Sequence, residues 1–158
     1  MNHQLMFSKE SDHWSTPYEM YNYFIENGYL DPCPLHSEHN GLLIDYGCIN
    51  LFINPPYSDI TTWIDYAINH VDKNHTTAIL LIPSRTDTKY FHKLLDHGVD
   101  IQFIKGRLKF GDSKNSAPFP SLLIKLESKD LEWLRQGNRI VTNMYSHYTQ
   151  VMSDEHRS

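Results

Sequence analysis

Apolar positions along this chain fall into short continuous runs and longer stretches of helical spacing. Tyr18, Tyr21, Phe24 and Ile25 recur at helical intervals. Ser15-Thr16-Pro17 precedes them, with Thr16 as N-cap and Pro17 at the first helical position, and Asn27-Gly28 is a stop signal. Tyr29-Leu30-Asp31 predicts a brief strand running into the stiff loop Pro32-Cys33-Pro34, and residues 35–41 continue as loop. Leu42-Leu43-Ile44 is ambiguous between a strand and a helical turn. Leu51 to Asn54 reads as a strand. Ile60, Trp63, Ile64, Ala67, Ile68 and Val71 mark an amphipathic helix. Thr77 to Ile82 is a continuous apolar run, typical of a buried parallel strand. Asp87 to His97 predicts a helix with Tyr90, Phe91, Leu94 and Leu95 inward, ended by Gly98. Ile101 to Ile104 reads as a strand that Lys105 to Phe110 extends past Gly106. Residues 111–120 are loop, Ser121 to Leu126 a final strand, and Lys129 to Arg135 a short helix.

Strands alternating with crossover helices predict an α/β fold: a mostly parallel sheet with helices on both faces and an antiparallel hairpin at one edge. Ligands of such sheets bind at the carboxyl ends of the strands. Asp31, Asn54 and Pro83-Ser84-Arg85 all fall at such ends, so three separate stretches converge on one rim.

At 158 residues the chain fits one domain with its own core. The expected division is a loose segment over 1–13, a domain over 14–144 and a polar tail over 145–158. No window approaches ~20 apolar residues, so no membrane-spanning helix is expected, and the first residues do not read as a secretory signal. Cys33 and Cys48 lack metal-type spacing, and His36 and His39 sit in a polar loop. The expectation is a cytoplasmic protein without metal. Aromatics at 13% fit either a ring-rich core or a surface that stacks on bases. The net charge of −5 argues against nucleic-acid binding along the whole surface. Residues 85–114 depart from it, with seven basic residues against four acids. Arg85, Lys89, Arg107 and Lys109 in this stretch are candidates for phosphate contacts, although a solvated surface gives the same count.

The stretch Ile53-Asn54-Pro55-Pro56-Tyr57-Ser58 carries the candidate chemistry. Prolines remove backbone donors and end a strand's ladder. Asn54 offers a neutral oxygen that accepts from an N–H, and Pro55 a backbone carbonyl. Together they can grip an exocyclic amine while Tyr57 stacks on the ring that bears it. Asp31, one strand away, can bind a ribose hydroxyl or a cationic amine. Each residue also has a plainer reading. The four-residue motif is a turn with a packing tyrosine, Asp31 opens an Asp-Pro loop, and Trp14 to Pro17 begins a helix over a buried tryptophan.

Asn54-Pro55-Pro56-Tyr57 after an apolar strand resembles the catalytic motif of amino-methyltransferases that use S-adenosylmethionine. The further ordered motifs are Trp14-Ser15-Thr16-Pro17, Leu30-Asp31-Pro32-Cys33, Trp63, Ile82 to Thr88, Gly106-Arg107-Leu108-Lys109-Phe110-Gly111 and Ala117-Pro118-Phe119-Pro120-Ser121. With them the chain is similar to the phage and prophage Dam-type DNA N6-adenine methyltransferases. The resemblance implies a shortened Rossmann-like, S-adenosylmethionine-dependent fold acting on DNA. It implies catalytic roles for Asn54, Pro55, Pro56 and Tyr57 on a flipped adenine. It implies cofactor contacts from Trp14, Thr16, Pro17, Asp31, Cys33 and Asn54. DNA is the implied partner of a monomer or weak homodimer. Two features depart from a full methyltransferase. Pro32-Cys33-Pro34 stands where a Gly-x-Gly is expected, and only about twenty residues separate Asp31 from Asn54, too few for two strand–helix units. An RNA or protein-glutamine substrate, or a DNA-binding member without catalysis, stays open on the sequence.

Overall fold

The computed structural model describes residues 14–111 and 114–131. Among the described residues there are three α-helices, α1 (Tyr18–Glu26), α2 (Ile60–Asn74) and α3 (Lys89–His97), and four strands that form one sheet, β1 (Leu51–Ile53), β2 (Thr77–Pro83), β3 (Asp100–Phe103) and β4 (Ser121–Glu127). Short 3-10 turns occupy Gly41–Leu43, Tyr57–Asp59 and Lys129–Leu131.

The strand order is β1-β2-β4-β3. β1 runs parallel to β2, with Leu51 opposite Ala78. β4 runs antiparallel to β2 over its full length and antiparallel to β3 on its other side. Leu30 adds a single parallel bridge to Leu51 at the outer edge of β1. The expected mostly parallel sheet is therefore corrected to a mixed one. The β3–β4 hairpin lies at the edge as expected, but β4 inserts beside β2 and makes the longest pairing antiparallel. An apolar run such as Ala78 to Ile82 is buried on both faces whichever way its neighbour runs. Its composition reports burial rather than direction.

Side chains alternate between the two faces of the sheet. Leu51, Ile53, Ala78, Leu80, Ile82, Leu122, Ile124 and Leu126 face a core closed by Ile64, Ala67 and Val71 of α2 and Phe91 and Leu94 of α3. Phe52, Ile79, Leu81 and Leu123 face the opposite core with Met20 and Phe24 of α1, Tyr29, Leu108, Phe110 and Ala117. Phe24 stacks on Phe52 with ring centroids 4.6 Å apart.

Several local expectations shift. Pro17 itself is the N-cap of α1, and no side chain caps that helix. Tyr29 to Asp31 makes one bridge instead of a strand. Leu95 is 43% exposed rather than inward, and His97 is buried in its place. β3 ends at Phe103, so Lys105 to Phe110 is not strand, although Leu108 and Phe110 are buried while Arg107 and Lys109 are exposed. Residues 129–131 form a 3-10 turn in place of the first part of the expected short helix. The remainder of that helix and the expected end segments at 1–13 and 145–158 lie outside the described residues.

Candidate active site

β1 stops at Ile53, and the next residue is turned inward: Asn54 is 3% exposed. Its amide nitrogen is fully engaged by the segment before α1. Nδ2 donates to the Trp14 carbonyl at 2.6 Å and to the Thr16 hydroxyl oxygen at 3.1 Å. Its oxygen Oδ1 is buried and has no hydrogen-bond partner. A buried amide oxygen without a donor is costly to maintain, and such groups in native structures call for an explanation.

The bridge between Leu30 and Leu51 places Asp31 beside Asn54. The Cys33 N–H donates to Asp31 Oδ1 at 2.9 Å, and the Cys33 thiol donates to the Asn54 carbonyl at 3.4 Å. Burial pushes the Asp31 carboxyl up to about 6, against the lowering effect of the hydrogen bonds from Cys33. Burial first, then the Asp31 charge, pushes the Cys33 thiol far up, so it stays protonated and serves as a donor. Trp14, Thr16, Tyr21, Asp31, Cys33 and Asn54 line a cavity of about 250 Å³. A second cavity of about 250 Å³ lies across Cys33 and Pro34, against His36, Asn40, Pro56 and Trp63. Its wall depends on Gly41, because a Cβ there would run into the Pro32 carbonyl and the Trp63 ring.

Pro55 is buried, and Pro56 leads into the 3-10 turn Tyr57–Asp59, which continues directly into α2. Tyr57 thus stands on a rigid corner. Its ring meets the edge of Phe119 at 5.1 Å, and Phe119 in turn meets Trp14 at 6.0 Å and Phe110 at 6.2 Å. Burial, then Tyr90, pushes the Tyr57 hydroxyl well up against the opposing charge of Arg85, so it stays protonated. The Phe119 loop is pinned to the end of β2 by the Ser84 N–H, which donates to the Pro120 carbonyl at 2.8 Å. The glycine ending the other arm of this connection, Gly111, has φ 54° and packs on the Ser15 hydroxyl, where a Cβ would collide.

Five of the six residues expected at a cofactor share the first cavity: Trp14, Thr16, Asp31, Cys33 and Asn54. Pro17 is buried at the helix start and is not on that wall. Of the four candidate phosphate contacts, Arg85 is electrostatically coupled to Tyr57 at the rim. Arg107 and Lys109 flank the buried Leu108, and Lys89 opens α3; all four are exposed. Sequence reasoning gave no role to Phe119, Tyr21 or Gly41. The signal for Phe119 was an aromatic held between two prolines. Tyr21 entered only as one of the helically spaced positions before Gly28.

Among the described residues no helix is long and apolar enough to cross a membrane, and no group of three or more His, Cys, Asp or Glu could hold a metal. No curated protein and no solved structure shows a significant match to the chain. A family model does: that of the DNA N-6-adenine-methyltransferases (Dam) matches residues 5–126, a span containing both cavities, the Asn54–Tyr57 corner and the Phe119 loop, and the chain belongs to that family.

Proposed function

We propose that the protein transfers a methyl group from S-adenosylmethionine to the exocyclic N6 amine of an adenine drawn out of DNA. The observation that carries this reading is Asn54 Oδ1, an acceptor held buried and partnerless in a side chain that lines the first cavity. An acceptor in that state suits a substrate N–H. The residues around it fit the cofactor: Asp31 offers a carboxylate for a cationic amine, and Trp14 and Tyr21 aromatic surface. When bound, S-adenosylmethionine supplies a sulfonium methyl group as the electrophile.

The chain's own residues then position the nucleophile. Asn54 is neutral, so it orients the amine rather than taking its proton. With the Pro55 carbonyl as a second acceptor, the amine's two hydrogens are directed to the protein and its lone pair away from it. The Tyr57 ring offers a flat apolar surface to the base, offsetting part of the few kcal/mol that unstacking costs. Arg85, Lys89, Arg107 and Lys109 supply contacts to phosphates.

The test is expression in a methylation-deficient host, followed by digestion of its DNA and RNA and mass spectrometry of the nucleosides. N6-methyladenine in DNA that disappears with Asn54→Ala is the expected result. Methylated nucleosides in RNA alone, or none in either, would exclude a DNA adenine substrate.

A further inference from the structure

Thr16 stands where a helix N-cap is expected, yet its hydroxyl caps nothing: α1 begins without a side-chain cap. The hydroxyl oxygen instead accepts one N–H of the Asn54 amide at 3.1 Å. The other N–H goes to the Trp14 carbonyl at 2.6 Å. These two acceptors are not equivalent. A carbonyl can only accept, so the Trp14 oxygen decides which end of the amide faces the N-terminal segment. The reverse orientation would set two acceptor oxygens against each other. A hydroxyl both donates and accepts, so Thr16 adapts to the orientation that Trp14 imposes and closes the second bond. With both N–H groups taken, the only free valence of the side chain is Oδ1, which is the atom left buried and unpaired at the cavity.

We propose that Thr16 is a positioning residue that acts through Asn54: its hydroxyl locks the amide plane so that Oδ1 is presented to the substrate amine. The proposal rests on the methyl-transfer reading for its kinetic consequence and on the apoprotein alone for its structural one. The hydroxyl uses a lone pair on Asn54, so its contribution to turnover is separable from any contact with the cofactor. The same geometry makes position 54 specific for asparagine. An aspartate there has no N–H to give, and a carboxylate oxygen would face the Trp14 carbonyl.

The experiment uses the full chain and two readouts. The first is the pair of side-chain amide proton resonances of Asn54 in the 15N-labelled apoprotein, assigned by their loss in Asn54→Asp. Thr16→Val is expected to move one of the two upfield and leave the other, held by Trp14, in place; Thr16→Ser is expected to restore the wild-type pair. The second readout is kinetic. Thr16→Val is expected to lower kcat by on the order of tenfold, because an amide held by one bond in place of two orients the substrate amine less well. S-adenosylmethionine affinity by calorimetry should stay unchanged, and Thr16→Ser should recover turnover. Asn54 resonances that do not move in Thr16→Val overturn the proposal whatever the activity. So does a fall in cofactor affinity that accounts for the whole loss of turnover, since Thr16 would then be a cofactor contact. A wild-type protein that methylates no DNA removes the functional reading, and the amide resonances still decide whether Thr16 holds Asn54.

Discussion

The two faces of the sheet are covered by different means. On one, α2 and α3 pack Ile64, Ala67, Val71, Phe91 and Leu94 against buried side chains of β1, β2 and β4. On the other, α1 supplies Met20 and Phe24, and the rest of the cover comes from segments without regular structure: Tyr29, Leu108, Phe110 and Ala117. Trp14, a wall of the candidate site, packs against this second face. A helical face is fixed by a repeat within one segment, and its burial depends little on any single approach. A loop-built face requires separate stretches to meet at set positions, such as Gly111 on Ser15, Ser84 on Pro120 and Thr16 on Asn54. That is the side on which polar groups can be held at angles no helix would give them. Loops on a rigid scaffold carry function for this reason.

If the division holds, mutations on the two faces separate stability from activity. The largest effect is expected at Ile64→Ala, a fully buried residue of α2. It should cost about 2–5 kcal/mol of unfolding free energy by chemical denaturation, with cofactor affinity unchanged in whatever fraction stays folded. Asn54→Ala should do the opposite. The barrier to methyl transfer should rise by about 2–4 kcal/mol, while the melting temperature moves little, because the substitution removes an unpaired buried oxygen along with two hydrogen bonds. A large loss of stability with intact turnover would place Asn54 with the core. Gly41→Ala tests whether a loop contact matters as much as a core side chain. Its added Cβ meets backbone at Pro32 as well as the Trp63 ring, and overpacking of this kind costs about 1–3 kcal/mol. The loss should appear in the denaturation midpoint.

The same contrast explains what could be read from the sequence. The helix beginning at Ile60 and the strand beginning at Thr77 were readable because periodicity and apolar runs are local properties. The inward turn of Leu94 followed from spacing too, whereas Leu95 lost its place to His97, whose Nε2 finds Asp72 at 3.1 Å across from α2. The place of β4 beside β2 was not readable. Ser121-Leu122-Leu123-Ile124-Lys125-Leu126 contains a lysine and looks like an edge strand. Yet Lys125 is buried inside the sheet, between Asp100 at 3.4 Å and Glu127 at 3.3 Å. Those partners are unknown until the pairing is. At the site, the residue types at Asp31, Asn54 and Tyr57 suggested a candidate chemistry, and the meeting of Asp31 with Asn54 in one cavity followed from placing both at the ends of neighbouring extended segments. The diversion of Thr16 from helix cap to amide partner could not be read, because the competing donor lies 38 positions away.

Asp31→Asn sharpens the comparison, since it should stabilise the fold while harming the site. The folded carboxyl is raised to about 6 by burial from an unfolded value near 4. A raised value means that stability is fullest below the unfolded pKa and declines as pH rises through the folded one. Wild type should therefore lose stability between about pH 4 and 6 on this group's account. Asp31→Asn should abolish that slope, match wild type at pH 4 and melt higher at pH 7.5, with the Cys33 N–H still satisfied by an amide oxygen. S-adenosylmethionine affinity should fall in the variant, and in wild type it should fall as pH drops below about 6. An unchanged affinity would move the cofactor's cationic end away from Asp31.

The smallest effect is expected at Arg107 and Lys109, where the loop-built face meets solvent. Leu108 and Phe110 are buried and the two cations between and before them are exposed, so burial alternates along the segment and leaves the charges outward even though β3 has ended. A guard role against edge pairing requires a strand to protect, and this segment is not one. That leaves solvation or contact with phosphate. Arg85, the other cation tied to the rim, already acts on Tyr57, so positive charge does reach the side where the base would enter. If both residues meet phosphates, Arg107→Ala with Lys109→Ala should weaken duplex binding equally for all sequences. It should flatten the slope of log K against log salt by about 0.9 for each lost contact. Unfolding free energy should hold within about 0.5 kcal/mol, as for other exposed positions. An unchanged salt slope would mean that the DNA path leaves the rim on another side, through Lys89 or beyond.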